Sequence, residues 1–377
     1  MDPWIAAAAD DIAARAPGEL ERLVDVSSPS GDIAGADAAI DVVLGLLPEG
    51  VRVERPPCSS ADHADDLIAT LTGTGSGRIV LLGHVDTVHA HEDHQPYALD
   101  GDTIRGSGTV DMKGGDVLAA GVLRALAQRS QDFAEIALLL VCDEEWRAGD
   151  FAHTQRFAGY DACLCFEGGE LTADGDEAVV VQRKAAGTLK VLAYGRSAHS
   201  GAAPEKGANA LLALASAAQS VAALHDPQGP ARLTSVPTVL RSGDAFNVVP
   251  AAGELLCDLR ADELATFDTV LAGLPDGVDG VRLEADFLRR WPGMDSREDT
   301  APLLAEAAGR LGRAIHGARR GGASDASYLA PVIDVTVDGL GPRGGGAHTS
   351  LEYIVADSLR SRAQVALALA DAVLAGT

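Results

Sequence analysis

The tripeptide His84-Val85-Asp86 closes the apolar run Ile79-Val80-Leu81-Leu82 after a single glycine. Side chains of an extended segment repeat every second residue, so His84 and Asp86 share a face. A metal-bound imidazole commonly donates its second ring N–H to a carboxylate, a role open to Asp86. Asp143-Glu144-Glu145 follows the wholly apolar stretch Ile136–Cys142. Burial there makes unpaired charge costly and calls for a cationic partner. Glu167 repeats the pattern after Ala162–Phe166, Asp111 sits inside the glycine-rich loop Gly106–Gly115, and the glycine-rich stretch Gly341–Ala347 leads into His348. Each motif alone has a plain structural reading: an incidental His-x-Asp, an aspartate capping a helix, a solvated acidic loop. Together they offer two imidazoles and three carboxylates, a donor mixture suited to paired Zn²⁺ or similar ions, with a further carboxylate free to act as general base.

These residues need elements to hold them. Ile5–Leu46 carries apolar residues at helical spacing, broken at Pro29-Ser30-Gly31, and predicts two surface helices. Lys113–Ser130 has Leu118, Val122 and Leu126 four residues apart, the stripe of a packed helix. Ile136–Cys142 reads as a strand covered on both faces. The order strand, helix, strand implies an α/β sheet, whose ligand sites gather beyond the strands' carboxyl ends. Ala178–Ala193 alternates polar and apolar residues, then gives way to an alanine-rich helix at Asn209–Leu224 and a strand group at Thr238–Arg260. That change of pattern points to an inserted α+β domain. A helix resumes from Ala301, and Val332–Val337 reads as a further buried strand returning to the first domain.

With 377 residues, 47% apolar and 23% charged, the composition is that of a soluble globular chain long enough for two domains. A net charge of −25 repels phosphate backbones, so no nucleic-acid partner is expected. No stretch reads as a membrane span. Five scattered cysteines fit a reducing compartment, and cytoplasm is the expected location.

In order along the chain, from roughly residue 80 to 355, these motifs resemble the di-zinc metallohydrolase family that includes glutamate carboxypeptidase, aminoacylase, acetylornithine deacetylase and succinyl-diaminopimelate desuccinylase, and the glutamate carboxypeptidase branch in particular. The resemblance implies an α/β fold: a mixed-sheet zinc-exopeptidase catalytic domain in two parts, 1–182 and 290–377, with an inserted α+β lid and dimerisation domain over 183–289. It implies two Zn²⁺ ions, with Co²⁺ or Mn²⁺ as substitutes. His84 and Glu167 would hold one, Glu145 and His348 the other, and Asp111 would bridge them; Asp86 would orient His84, and Glu144 would be the general base. The segment Gly195–Pro204 is similar to the branch's lid segment, so His199 would reach the partner subunit's site and stabilise the oxyanion. Asn247, Arg260, Gly322 and Ser324 resemble the family's substrate-binding positions, and Arg289 or Arg290 could share that role. An arginine fork suits a terminal carboxylate. Two departures stand out: Met112 where relatives often carry a second acid, and Gly168-Gly169 in place of a Pro-Thr type of continuation.

The expected function is hydrolysis of an amide bond that releases a C-terminal or N-acylated amino acid from a small peptide or N-acyl amino acid, by a homodimeric enzyme. The alternatives are an N-acyl-amino-acid deacylase of the acetylornithine or succinyl-diaminopimelate type, and a metal-binding homologue without turnover, against which Glu144 argues. A cysteine hydrolase using Cys142, Cys163 or Cys165 is disfavoured, because all three lie in apolar strand runs where cysteine packs as a small core residue.

Overall fold

The computed structural model describes residues 1–147 and 149–376. The chain divides into two compact units, one of Met1–Gln182, Asp295–Arg319 and Ser324–Thr377, the other of Arg183–Met294 and Arg320–Ala323.

The first unit is built on a six-stranded sheet in the order Arg52–Glu54, Leu67–Thr72, Phe133–Val141, Gly77–His84, Ala162–Cys165, Val335–Val337. The last four run parallel, and the first two pair antiparallel along one edge. Ile136–Val141 is buried throughout, as a strand covered on both faces must be. The helix Gly114–Ala127 lies against Gly77–His84 and is buried nearly all round: beside the Leu118, Val122 and Leu126 stripe, Ala119, Ala120 and Gly121 are buried too. Small residues let a neighbour come close, and a Cβ on Gly121 would sit 2.9 Å from Ile12 of the helix Pro3–Val24. That helix starts with Asp2 accepting the N–H of Trp4 at 2.7 Å and Pro3 in its first turn. The break at Pro29–Gly31 separates it from Ile33–Leu44, capped by Asp32. Arg297–Leu311 and Asp357–Gly376 complete the helical cover.

Two sequence expectations are corrected. Ala178–Ala193 is not one alternating element: Glu177–Arg183 is buried at every position, and only Ala185–Tyr194 alternates, each strand in a different sheet. The expected strand Val332–Val337 shrinks to Val335–Val337, because the Leu329 carbonyl accepts the N–H groups of Val332 and Ile333 in a turn.

The second unit is a five-stranded antiparallel sheet ordered Thr234–Ser242, Ala252–Ala261, Ala185–Tyr194, Val281–Trp291, Gly277–Val278. Its inward residues, among them Leu189, Val191, Leu255, Cys257 and Leu259, pack with Ala213, Leu214, Ala217 and Val221 of the helix Ala210–Ala223. Asn209 caps that helix, accepting from Leu211 and Leu212. No described helix is long and apolar enough to cross a membrane.

Candidate metal centre

Three neighbouring parallel strands deliver acidic and histidine side chains at one level. Register sets His84 beside Val141 and Leu82 beside Cys165. Glu167, two residues past Cys165, therefore emerges level with His84, and Glu144 and Glu145 emerge just past Val141. Asp111 comes from the loop before Gly114–Ala127, where Gly106 (φ 144°) and Gly108 (φ 81°) take conformations that favour glycine. His348 arrives on the turn after Gly344–Gly345, itself at φ 63°, an uncommon value for a residue with a side chain.

Two trios result, sharing one aspartate. His84 Nε2 lies 3.2 Å from Asp111 Oδ1 and 3.8 Å from Glu167 Oε1. His348 Nε2 lies 3.1 Å from Asp111 Oδ2 and 3.3 Å from Glu145 Oε2. Within each trio the candidate ligand atoms all lie within 4.8 Å of one another. Tetrahedral Zn²⁺ with bonds near 2.0–2.2 Å places its ligands about 3.4 Å apart, so both trios have the right span. Glu145 Oε1 is buried with no hydrogen-bond partner among the described residues, an orphan that a cation would satisfy. The donor set of imidazole and carboxylate fits divalent zinc or its neighbours. The His348 side chain is 55% exposed while His84 is 1% exposed, so the centre opens on the His348 side.

The electrostatics show how much negative charge is gathered here. Hydrogen bonds accepted by Asp111 and Glu145 push the His348 imidazole up to about 10. For His84, burial pulls the other way, yet Asp111 and Asp86 outweigh it and hold the ring well above its usual value. Burial raises the carboxyls of Glu144 and Glu145, and neighbouring carboxylates raise them further.

Asp86 touches both His84 and the backbone of the neighbouring acidic turn. His84 Nδ1 lies 3.0 Å from the Asp86 carbonyl and 3.4 Å from its carboxylate. The two carboxylate oxygens accept the N–H groups of Glu144 and Glu145, each at 3.1 Å. One aspartate thus clamps the backbone that carries the candidate base and a candidate ligand.

Several residues around the centre were not singled out from sequence. Of the three acids in a row, Asp143 is compensated by Arg147 (Nη2–Oδ1 2.8 Å), which also binds Asp325 (Nη2–Oδ2 2.8 Å). Lys113 is buried, its ammonium brought down to about 8 by desolvation, and it donates to the Val26 carbonyl. Asp116, four residues into the same stretch as Met112, is fully buried, and desolvation raises its carboxyl well above the usual range. Glu352 is buried against the Asp111 loop. None of the four, Arg147, Lys113, Asp116 and Glu352, carries a sequence signal that ties it to the centre.

The remaining expected site residues are not members of either trio. His199, exposed in the second unit, accepts the N–H groups of Gly201 and Ala202 on Nδ1. Asn247 is exposed in that unit, Gly322 belongs to it, and the Arg260 fork is bonded to Asp258 on its own strand (Nη2–Oδ1 3.0 Å). Ser324 is in the first unit, buried, with its hydroxyl donating to Asp338. None of the five cysteines forms a disulfide. Burial pushes the Cys142 and Cys163 thiols up, away from nucleophilic character.

Known proteins share the sequence pattern and the fold of this chain. The sequence pattern of peptidase family M20/M25/M40 matches residues 80–372. Carboxypeptidase G2 of Pseudomonas sp. (strain RS-16) is 28% identical over 373 residues, covering 93% of this chain and 87% of the relative. A succinyl-diaminopimelate desuccinylase of Afipia carboxidovorans is 29% identical over 349 residues, covering 82% and 87%. Among solved structures, aminopeptidase PepT of Bacillus cereus superposes with a TM-score of 0.77 at 22% identity, over 96% of this chain and 98% of that one. The Bacillus subtilis YXEP protein, described as a dinuclear metal binding peptidase from the M20 family, gives 0.70 at 15% identity, over 98% and 99%. The chain is thus an enzyme of peptidase family M20/M25/M40, a metallopeptidase and amidohydrolase family.

Proposed function

We propose that this enzyme hydrolyses an amide bond to release a C-terminal or N-acylated amino acid, in the manner of a glutamate carboxypeptidase, with two Zn²⁺ ions held by His84, Asp111 and Glu167 and by Asp111, Glu145 and His348. The observation that carries the reading is the shared aspartate: each Asp111 oxygen faces its own histidine at 3.1–3.2 Å. When bound, paired divalent cations supply an activated water and polarise the scissile carbonyl. Glu144, held by its backbone N–H to Asp86, accepts a proton from the attacking water and passes it to the departing amine, which cannot leave as an anion. The elevated affinity of Glu144 for a proton suits a group that must hold one between the two transfers.

In this reading His199 stabilises the oxyanion, and Asn247, Arg260, Gly322 and Ser324 bind the substrate. Arg260 and Ser324 are already bonded to Asp258 and Asp338, so binding through them requires an exchange of partners. The similarity to carboxypeptidase G2 over nearly the whole chain favours a carboxypeptidase over the deacylase alternative. A homodimer through the second unit is part of the proposal. It is supported by apolar residues exposed in that unit, Leu212 on the helix Ala210–Ala223 and Val236 and Leu240 on the edge strand Thr234–Ser242.

The test is elemental analysis of the purified chain, paired with turnover of N-acyl amino acids and dipeptides ending in Glu, before and after chelation and zinc readdition. Two metals per chain are expected, with activity lost on chelation and restored by zinc. Glu144→Gln should keep both metals and lose about 10²–10⁴-fold in kcat. Turnover indifferent to chelators, or undiminished in Glu144→Gln, would sink the reading.

A further inference from the structure

Glu352 lies four residues beyond His348, and its carboxylate is 2% exposed. Its Oε1 accepts the backbone N–H groups of Val110 at 2.9 Å and Asp111 at 3.0 Å, and its Oε2 accepts that of Gly108 at 2.8 Å. His89 Nε2 lies 3.3 Å from Oε2. Three donors of one loop therefore converge on a single buried side chain. They have nowhere else to go: Asp111 (φ −130°, ψ 87°) is outside any helical conformation, and buried N–H groups need partners. Glu352 is set in place by strand register. Tyr353–Val355 pairs with Thr103–Arg105, and the next rung is Gly106 N–H to the Glu352 carbonyl at 3.3 Å.

We propose that Glu352 is the positioning residue of the metal centre: it holds the Asp111 backbone where both carboxylate oxygens face the two histidines, and through the segment 348–352 it couples the placement of Asp111 to that of His348. The inference rests on the two-cation reading above and adds to it a residue that touches neither cation nor substrate. Glutamate is suited because an ionised carboxylate only accepts, and the loop here only donates. A glutamine would turn its NH₂ toward N–H donors on one side. An alanine would leave three buried N–H groups unpaired.

The experiment is zinc binding to the full chain, measured in competition with a chelator of known affinity, on wild type, Glu352→Gln, Glu352→Ala, Asp111→Asn and Glu177→Gln. The last breaks a buried pair with Arg362 in the same unit and serves as the structural control. Glu352→Gln is expected to bind zinc about 10–100-fold more weakly, the range found when groups behind metal ligands are removed. At saturating zinc its substrate KM should match wild type, because Glu352 does not touch substrate. Glu177→Gln should melt earlier yet keep wild-type zinc affinity. Should Glu352→Ala not fold, Glu352→Gln alone decides. Wild-type zinc affinity in the Glu352 variants, with Asp111→Asn impaired, would overturn the role of Glu352 and leave the two-cation reading standing. Wild-type affinity in Asp111→Asn as well would overturn both.

Discussion

At the scale of single residues, the candidate ligands of the proposed centre must lose protons before they can bind a cation. His348 holds its proton up to about 10 because Asp111 and Glu145 accept hydrogen bonds from it, and His84 holds its own well above the usual range despite burial. Near neutral pH the His348 trio therefore carries a proton that a cation must displace. Apparent zinc affinity there should fall about tenfold per pH unit as pH drops from 8 to 6. The sign for the metal-free protein is opposite. A raised histidine contributes stability fully present below its unfolded value of 6.5 and lost as pH rises through about 10. Thermal melting with and without zinc at pH 6, 7 and 8 checks both: the gap between the two curves should widen with pH, and a constant gap would contradict the proton competition. The candidate ligands were legible from sequence because each stands at the end of an apolar run or inside a glycine-rich loop. Arg147 and Glu352 were not, since Asp325 is 178 residues from the first and Asp111 is 241 from the second. A surface arginine and a buried one paired with two acids look identical in a sequence.

At the scale of elements, the site depends on how closely the helix Gly114–Ala127 approaches the strand ends. Gly115 packs against the backbone: an added Cβ would fall 1.9 Å from the Phe166 carbonyl oxygen, next to Glu167. Backbone cannot swing aside as a flexible side chain can, so Gly115→Ala must displace either the helix or the segment carrying Glu167. We expect a loss of about 1–3 kcal/mol in chemical denaturation, typical of overpacking, together with weaker metal retention. Unchanged stability would mean that the helix start moves without resistance. The helix itself was readable from its Leu118, Val122 and Leu126 stripe. Its near-complete burial was not, because alanine and glycine on the other face say nothing until the helix Pro3–Val24 is laid over them. The stretch Ala178–Ala193 failed for a related reason: alternation shows only that a strand has two different faces, and Glu177–Arg183 has both faces covered.

At the scale of the whole molecule, the second unit leaves apolar side chains in water on adjoining elements. Leu212, Val236 and Leu240 are exposed on one helix and one edge strand, and an unpaired edge is a template for a second copy. Each such residue contributes about 1.5–3 kcal/mol when fully buried, and a two-fold interface counts each twice. The triple change Leu212→Glu, Val236→Lys, Leu240→Lys should weaken self-association by at least about 10²-fold in sedimentation equilibrium while unit folding, followed by circular dichroism, is kept. A wild-type chain that sediments as a monomer at micromolar concentration would remove the dimer from the proposal.

The sequence by itself determined the α/β class, three of the four parallel strands and the packed helix, and it picked out the seven charged or imidazole residues proposed for the centre. Periodicity and local chemistry are short-range properties, carried in windows of a dozen residues. Only the tertiary structure decided that the Asp86 carboxylate clamps the backbone of Glu144 and Glu145, that the cation answering Asp143 is Arg147, that Asp111 is seated on Glu352, and that Ser324 turns inward to Asp338. Those choices are made between groups far apart in the chain, and they follow from strand register and burial, which no local window contains.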